Sequence, residues 1–370
     1  MPMKSLTLGG VALALALHAS GAAATVSIWQ PEISAVALQI PDYRELGCAD
    51  KVIEPYTGPL QVESKYVQTD ASKSTQRAVS RQTKEVRGQI NDYIKQVVKY
   101  GERATSTNDP QKAARALACL DQWLTVWAKA GAIESRDASK TGVAARKWAL
   151  AAISSSLLKT QAQTGNRLQL SAIQQKWLND LAQIVIEEYE PRRRNNFRYF
   201  NNHDYWAAWA VTSTGMLIDQ QAYVDWGTRY VQEALGRLTK ARQGDYAYHQ
   251  IEVARGKLGA EYTHYALVPI ALLVEASYAN GQPLSAEDEA SYKALATFAA
   301  RAVLEPESIP ELQGRQADVP THKMIWLLPF LNRFPDHVWA RKLFEKERGK
   351  VDNYSQIGGR LGPLYPNLNL

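Results

Sequence analysis

The chain of 370 residues has little cysteine and no run of apolar residues long enough to cross a bilayer. Its two cysteines, Cys48 and Cys119, do not form a Cys-x-x-Cys sequence, and no histidine stands at zinc-site spacing from either. A redox centre, a zinc site and an integral membrane protein are therefore not expected. Strand signals and clean internal repeats are scarce as well, which disfavours a β-sheet protein and a helical solenoid.

The N-terminus has the three parts of a secretory signal. Lys4 supplies positive charge, Leu6–Leu17 form a short apolar core, and Ala22-Ala23-Ala24 offer small residues for cleavage. We expect residues 1–24 to be removed and residues 25–370 to form one domain in the periplasm, or in the medium. In that oxidising compartment the two cysteines are expected to pair as one disulfide, two reduced thiols being the alternative.

Basic residues exceed acidic ones, with 43 Lys and Arg against 37 Asp and Glu, for a formal charge of +6. They are scattered apart from Arg192-Arg193-Arg194, and no nucleic-acid-binding motif occurs. In an exported protein this excess favours an acidic polysaccharide as partner, with a plain solubility effect as the alternative. We expect a monomer with no nucleic-acid partner and no membrane insertion after signal removal.

After an irregular region at 25–60, the chain has the pattern of successive helices. Asp109 and Pro110 are a cap and a first-turn proline, Gly131 marks a helix end, and Ser285 begins a capping box. Further apolar patterns with helical spacing lie at 142–160, 169–188, 203–219, 221–238, 260–279 and 285–304. Amphipathic helices of this length with short polar links predict an all-α fold, an α/α barrel or toroid of helix pairs.

Ten tryptophans and eighteen tyrosines stand against six phenylalanines. Trp and Tyr join an apolar face to a polar group, and sugar rings stack on such faces. Trp206 is the candidate wall for a sugar ring, and ordinary core packing is the alternative for this residue and for the other aromatics.

The segment Asn201–Trp209 is the most informative in the chain, because it sets Asn202 and His203 among aromatic rings at a predicted helix start. Arg255 and Tyr262 follow about fifty residues later and stand seven positions apart, so they share one face if that stretch is helical. An amide, an imidazole, a guanidinium and a phenol without a carboxylate pair suit proton removal beside a carboxylate better than hydrolysis.

That chemistry is β-elimination in a polymer of uronic acids, and it needs no metal or cofactor. The C5 proton can leave once the charge of the C6 carboxylate is neutralised, for which Asn202 and Arg255 are suitable donors. Tyr262 can protonate the departing O4, and as phenolate it can also take the C5 proton. For the second role Arg255 would have to lower its pKa from about 10. His203 can act as base or as a further donor.

These residues resemble the alginate lyases of polysaccharide lyase family five, the periplasmic poly-mannuronate lyases. Asn201–Trp209 is similar to the family's Asn-Asn-His-x-Tyr-Trp-Ala-Ala-Trp signature, and Arg255 with Tyr262 to its Arg…Tyr-x-x-Tyr-Ala-Leu segment. Other similar stretches are Pro55–Gly58 with Ser64–Tyr66, Thr141-Gly142 with Arg146–Leu150, and Lys323 with Trp326. The resemblance runs from about residue 48 to about residue 330, in order.

The resemblance implies an incomplete α/α toroid with a deep cleft and a lid loop near Lys65 and Tyr66. Asn202 and Arg255 would neutralise the carboxylate, and Tyr262 would donate to O4. In mannuronate the C5 hydrogen and O4 lie on the same face of the ring, so Tyr262 can serve both. In guluronate they lie on opposite faces, and His203 would have to be the base. The predicted substrate contacts are Ser64, Lys65, Tyr66, Lys140, Thr141 and Trp206.

Departures from the family bear on the substrate more than on the reaction. Lys140 stands where the family often has histidine, and Arg192–Tyr199 carries extra basic and aromatic residues. A lyase of broader range, acting on hyaluronan or glucuronan, is therefore one alternative. A glycoside hydrolase using Asp204 and Glu252 is a second, and a non-catalytic periplasmic polysaccharide-binding or scaffold protein is a third.

Overall fold

The computed structural model describes residues 24–194, 197–312 and 314–368. The signal peptide expected at residues 1–24 lies outside them, apart from Ala24. The helices of the described part are α1 (Ala35–Leu38), α2 (Arg81–Ser106), α3 (Pro110–Ala130), α4 (Lys140–Gln163), α5 (Ala172–Tyr189), α6 (Asn202–Ile218), α7 (Gln221–Gly236), α8 (Gln250–Val253), α9 (Gly259–Ala279), α10 (Ala286–Leu304), α11 (Leu327–Arg333) and α12 (Val338–Glu347). None of them is both long and apolar enough to cross a membrane.

Strands are confined, within the described ranges, to two antiparallel hairpins. These are β1 (Thr239–Lys240) with β2 (Ala247–Tyr248), and β3 (Asn353–Tyr354) with β4 (Gly359–Arg360). Every helical pattern named from the sequence corresponds to a helix, within about one turn at each end. The long helix α2 was not among those patterns.

The predicted helix ends are confirmed at atomic detail. The Asp109 carboxylate accepts hydrogen bonds from the first free N–H groups of α3, those of Gln111 and Lys112. Gly131 ends that helix at φ +60°, a left-handed conformation that favours glycine. The Ser285 hydroxyl accepts from the N–H of Asp288 at 3.0 Å and so caps α10, but the Asp288 carboxylate accepts from the Ser285 hydroxyl at 2.9 Å, so the predicted capping box forms only in its first half.

The helices form an inner and an outer layer. The inner helices α4, α6 and α9 are buried along most of their length, and α6 packs against both of the others. The outer helix α7 packs against α6 and α9, while α3 packs against α2 and α5. This two-layer arrangement of helix pairs is that of an α/α toroid, and it places the start of α6 among neighbouring inner helices.

The irregular N-terminal segment is fixed to the helices by a disulfide, by close packing against α4 and by hydrogen bonds such as that from Trp127 Nε1 to the Ile53 carbonyl oxygen at 2.8 Å. Cys48 and Cys119 form the expected disulfide, with Cα atoms 4.8 Å apart, which ties the segment to α3. Further on, Leu60 pairs with Ala138 and its carbonyl lies against Gly142, where any side-chain carbon would collide with it. The segment that leads into the predicted lid is therefore anchored against the first turn of α4.

The C-terminal hairpin is held on α2 and α4 by a buried lysine. Lys159 Nζ donates to the Arg360 carbonyl oxygen at 2.7 Å and to Glu102 at 3.2 Å. Glu102 also accepts the N–H of Arg360 at 2.8 Å. Because these groups satisfy one another, the hairpin has a defined position beside the inner helices.

Candidate active site

The start of α6 is fixed by a reciprocal cap. The Asn201 side chain accepts from the N–H of His203 at 2.9 Å, and the Asp204 carboxylate accepts from the N–H of Asn201 at 2.9 Å. Asp204 is fully buried and also binds Arg192 through two hydrogen bonds of 2.6 and 2.9 Å. Arg192 therefore supports the signature segment, whereas Arg194 is exposed.

Asn202 is bound to a buried acid. Its backbone N–H donates to Glu252 at 2.7 Å, and its Nδ2 lies 3.0 Å from both carboxylate oxygens. Burial raises the pKa of Glu252, although Arg255 and the Asn202 donors favour its ionised form. With Nδ2 engaged in this way, at most one amide hydrogen of Asn202 remains for a substrate carboxylate.

Arg255 and Tyr262 do not share one helix, so that prediction is wrong. α8 ends at Val253, and a 3₁₀ turn over Gly256–Leu258 precedes α9. Gly256 has φ +57°, a conformation that interrupts a regular helix. The turn nevertheless brings the Arg255 guanidinium carbon to 4.6 Å from the centroid of the Tyr262 ring, so the two predicted residues meet.

The Arg255 side chain is held near an acid and still has an unused donor. Its Nε lies 4.0 Å from Glu252 Oε2, and its side chain is 14% exposed. Within the described part of the chain, this buried Nε makes no hydrogen bond. An incoming anion would supply the missing acceptor, and the planar guanidinium could bind a carboxylate through two parallel hydrogen bonds.

The pKa of Tyr262 is raised above its ordinary value, mainly by burial and then by the neighbouring phenol of Tyr66. The charge of Arg255 opposes this rise but does not overcome it. The lowering expected for a base role is therefore not found, so such a role would draw on a minor phenolate form. In the free protein Tyr262 is a neutral phenol, which suits it to protonate a leaving oxygen.

His203 is paired with a lysine that the sequence did not mark as functional. Lys147, on α4, has no exposed surface, and its Nζ lies 2.8 Å from His203 Nδ1 and 2.8 Å from the His203 carbonyl oxygen. The same Nζ lies 5.1 Å from the centroid of the Trp148 ring and 5.0 Å from that of Tyr189. Burial, followed by Lys147, Arg192 and Arg255, holds the pKa of His203 well below 6.5.

The expected lid is a narrow loop over the Arg255–Tyr262 segment. Tyr66 bridges to Gln76, and the Asp70 carboxylate accepts from the N–H groups of the turn that follows it. Tyr66 lies beside Tyr262, and Ser72 at the tip approaches Gly256.

Two further predicted substrate contacts, Ser64 and Lys65, lie in the lid, and they differ in their exposure and bonding. The hydroxyl of Ser64 accepts from the N–H of Tyr66 at 3.1 Å, so it shapes the loop. Lys65 is exposed, with its ammonium 5.1 Å from the Tyr66 ring. On the first turn of α4, Lys140 is exposed and Thr141 is half-buried. Their contact with substrate stays a prediction.

Trp206 belongs to the core. Its ring has no exposed surface and packs 5.2 Å from the Tyr265 ring and 6.1 Å from the Tyr354 ring, centroid to centroid. A ring without exposed surface offers no face to a sugar, so the structure contradicts its prediction as a wall of the cleft and favours the core-packing alternative.

The C-terminal hairpin contributes residues that the sequence did not predict. Gln356 Nε2 donates to the Tyr265 hydroxyl at 2.8 Å, and the Tyr354 ring lies 4.7 Å from that of His322. Next to His322, Lys323 forms an ion pair with Glu261. No local signal marks such contacts, because Tyr265 and Gln356 are 91 residues apart.

No group of three or more His, Cys, Asp or Glu side chains that could hold a metal ion occurs among the residues the structure covers. The two acids considered for hydrolysis are both engaged: Asp204 binds Arg192 and the Asn201 N–H, and Glu252 binds Asn202. The free groups at the site are donors and a phenol, an arrangement that can bind an anion and transfer a proton.

Comparison with known proteins gives one consistent family. The family model described as alginate lyase matches residues 61–309. An alginate lyase of Pseudomonas fluorescens strain SBW25 is 27% identical, over 99% of this chain and 96% of its own length. An alginate lyase of Cobetia marina is 28% identical, over 86% and 84% respectively.

Solved structures agree with the sequence relatives in fold. A variant of alginate lyase A1-III complexed with tetrasaccharide superposes with a TM-score of 0.67 at 18% identity, covering 90% of each chain. The crystal structure of alginate lyase A1-III from Sphingomonas species A1 gives a TM-score of 0.63 at 18% identity, over 90% and 91% of the two chains. The predicted α/α toroid is thereby confirmed.

Proposed function

The chain belongs to the alginate lyase family, and on that premise we propose that it cleaves poly-β-D-mannuronate by β-elimination. The reaction breaks the C5–H and C4–O4 bonds and leaves a 4,5-unsaturated uronate at the new chain end. The observation that carries this proposal is the Arg255 guanidinium 4.6 Å from the centroid of the Tyr262 ring, with an unused buried donor.

The substrate carboxylate is bound at the start of α6. Arg255 supplies a fixed positive charge, and Asn202 supplies its remaining amide hydrogen. As negative charge spreads from C5 into the carboxylate, these donors stabilise it more strongly in the transition state than in the bound substrate. Because Glu252 and Asp204 hold the donors in place from behind, little reorganisation is needed during the reaction.

Tyr262 carries out the proton transfers. As phenolate it takes the C5 proton, and the resulting phenol gives that proton to O4 as the C4–O4 bond breaks, which restores the phenolate. In mannuronate both atoms lie on the same ring face, so one side chain reaches both. Burial and Tyr66 raise the pKa of Tyr262, so the phenolate is a minor form near neutral pH and its supply limits the rate.

The protein is proposed to act after export to the periplasm. The N-terminal signal pattern and the disulfide between Cys48 and Cys119 support this location, since disulfides persist in oxidising compartments. The partner is an anionic polysaccharide, and the excess of basic residues favours its approach.

The test is a panel of poly-mannuronate, poly-guluronate, hyaluronan and glucuronan with ultraviolet absorbance of the new double bond as the readout. We expect the fastest rise with poly-mannuronate. A faster rise with hyaluronan or glucuronan would replace the proposed substrate and leave the reaction standing. Binding of poly-mannuronate without any rise in absorbance would contradict a lyase and indicate a binding protein.

A further inference from the structure

We propose that Lys147 is a positioning residue that holds His203 in the tautomer with its proton on Nε2, so that His203 donates to substrate and cannot serve as base. The inference rests on the proposed lyase function for its consequence, because it names what excludes cleavage of guluronate. Its structural part, the tautomer of His203, can be measured without any substrate.

The geometry of the lysine supports this assignment. Lys147 Nζ lies 2.8 Å from His203 Nδ1 and 2.8 Å from the carbonyl oxygen of the same residue. A carbonyl oxygen only accepts, so one Nζ hydrogen is directed to it, and a second is available for Nδ1. Even as a neutral amine, Nζ keeps two N–H groups, one for each acceptor. Donation to both acceptors occupies the Nδ1 lone pair and leaves the ring proton on Nε2; the reverse arrangement, in which Nδ1–H donates to the lone pair of a neutral Nζ, would overturn the assignment.

The surroundings of Lys147 favour a donor at this place. The rings of Trp148 and Tyr189 lie about 5 Å from Nζ and present their negative faces to it. Burial holds the pKa of Lys147 well below its ordinary value; the charges of Asp204 and Glu188 oppose this shift, and that of Arg192 adds to it. A proton on Nδ1 of His203 would meet an ammonium that has no lone pair, or would require a neutral amine to accept it.

A neutral His203 with an Nε2 proton has one function toward a uronate. It can donate a hydrogen bond to the carboxylate beside Arg255, but it has no free lone pair for the C5 proton. Proton transfer is then assigned to Tyr262, which acts from one face of the sugar. Cleavage is thereby confined to residues in which the C5 hydrogen and O4 share that face, which is the case in mannuronate and not in guluronate.

A second buried histidine provides an internal reference for the measurement. His264 Nδ1 accepts from Trp326 Nε1 at 3.0 Å, and its Nε2 lies 2.8 Å from the Ala299 carbonyl oxygen. Because the indole can only donate and the carbonyl can only accept, His264 must carry its proton on Nε2. The ¹⁵N shifts of its two ring nitrogens therefore define the tautomer expected for His203.

The experiment is nitrogen-detected NMR of the ¹⁵N-histidine-labelled protein from pH 6 to pH 9. The His203 signals are assigned by their absence in His203→Gln. We expect a protonated Nε2 and an unprotonated Nδ1 throughout, as for His264. Lys147→Met should shift His203 toward a mixture of tautomers, while Lys159→Met, which also removes a buried lysine from α4, should leave the His203 signals unchanged. A proton on Nδ1, or an imidazolium at pH 7, in the wild-type protein overturns the proposal and requires no variant.

Kinetics separate this inference from the lyase function. We expect Lys147→Met to lower kcat on poly-mannuronate on the order of 10²-fold, with a smaller change in KM, because a misplaced donor weakens the transition state more than binding. If wild type cleaves poly-guluronate as fast as poly-mannuronate, the specificity role is overturned. If no polyuronate is cleaved while His203 shows the Nε2 proton, the lyase function fails and the positioning by Lys147 stands.

Discussion

The Arg255 guanidinium carbon lies 4.6 Å from the centroid of the Tyr262 ring, although a 3₁₀ turn separates the two residues. The contact places a permanent positive charge against the phenol proposed to transfer protons. It also keeps that charge 4.0 Å from the buried acid Glu252, too far for a hydrogen bond. Arg255 is thus positioned to exchange a weak internal partner for a substrate carboxylate.

The pH dependence of turnover follows from the raised pKa of Tyr262. Below that pKa the phenolate fraction grows tenfold with each pH unit, so log kcat/KM on poly-mannuronate should rise with a slope of about 1 between pH 7 and pH 9. The rise should continue to at least about pH 10, the ordinary tyrosine value. A plateau at neutral pH followed by a decline would mean that another group is the base.

Replacing Arg255 with lysine keeps the charge and removes the planar fork. We expect Arg255→Lys to lower kcat/KM on poly-mannuronate by about 10²- to 10³-fold, the effect typical of a lost donor to a developing negative charge. Arg136→Lys is the matched control, because Arg136 forms an exposed ion pair with Glu187 that contributes little. Similar rates for the two variants would remove Arg255 from the mechanism.

The disulfide should contribute to stability and not to chemistry. The bond between Cys48 and Cys119 closes a loop spanning 71 positions, and the entropy that such a cross-link removes from the unfolded chain corresponds to about 4 kcal/mol. Denaturant titration of the double serine variant should show a decrease of that order in the free energy of unfolding. An unchanged denaturation midpoint would contradict the contribution to stability. A loss of activity per folded molecule would contradict the absence of a role in chemistry.

Acid should destabilise the fold through buried histidine. Burial lowers the pKa of His264 to about 4 in the folded state, below the unfolded value of 6.5. Between these values the unfolded chain binds a proton that the folded one does not. The free energy of unfolding therefore decreases by about 1.4 kcal/mol for each unit by which the pH is lowered. His264→Gln should be less stable at pH 7 but lose stability less steeply from pH 6.5 to pH 4. Equal slopes in urea titrations would contradict the assignment.

Much of the fold could be predicted because its signals are local. The cap at Asp109 and the stop at Gly131 depend on neighbouring backbone groups, so residue type alone identifies them. The Asn201–Trp209 signature likewise marked the start of α6. Gly256 was overlooked, since a single glycine in the sequence gives no sign that it will adopt positive φ.

The residues that the sequence did not identify act through distant contacts. Lysine is a residue type usually found at the surface, and the proposed function of Lys147 depends on a histidine 56 positions away. Gln356 reaches Tyr265 across the fold, and no periodicity records such a contact. Trp206 fits a sugar-binding face and a core equally well by type, so only its burial decides between them.

Tyr262→Phe tests the central claim most directly, with poly-mannuronate turnover and binding measured on the same samples. The variant keeps the ring under Arg255 and removes the hydroxyl. We predict a loss of kcat of about 10³-fold or more, since two proton transfers depend on that group. Binding of poly-mannuronate, measured by titration of tryptophan fluorescence, should be retained. Tyr278→Phe, on the same helix with its hydroxyl on Glu289, should turn over like wild type. Turnover by Tyr262→Phe within tenfold of wild type would contradict the account.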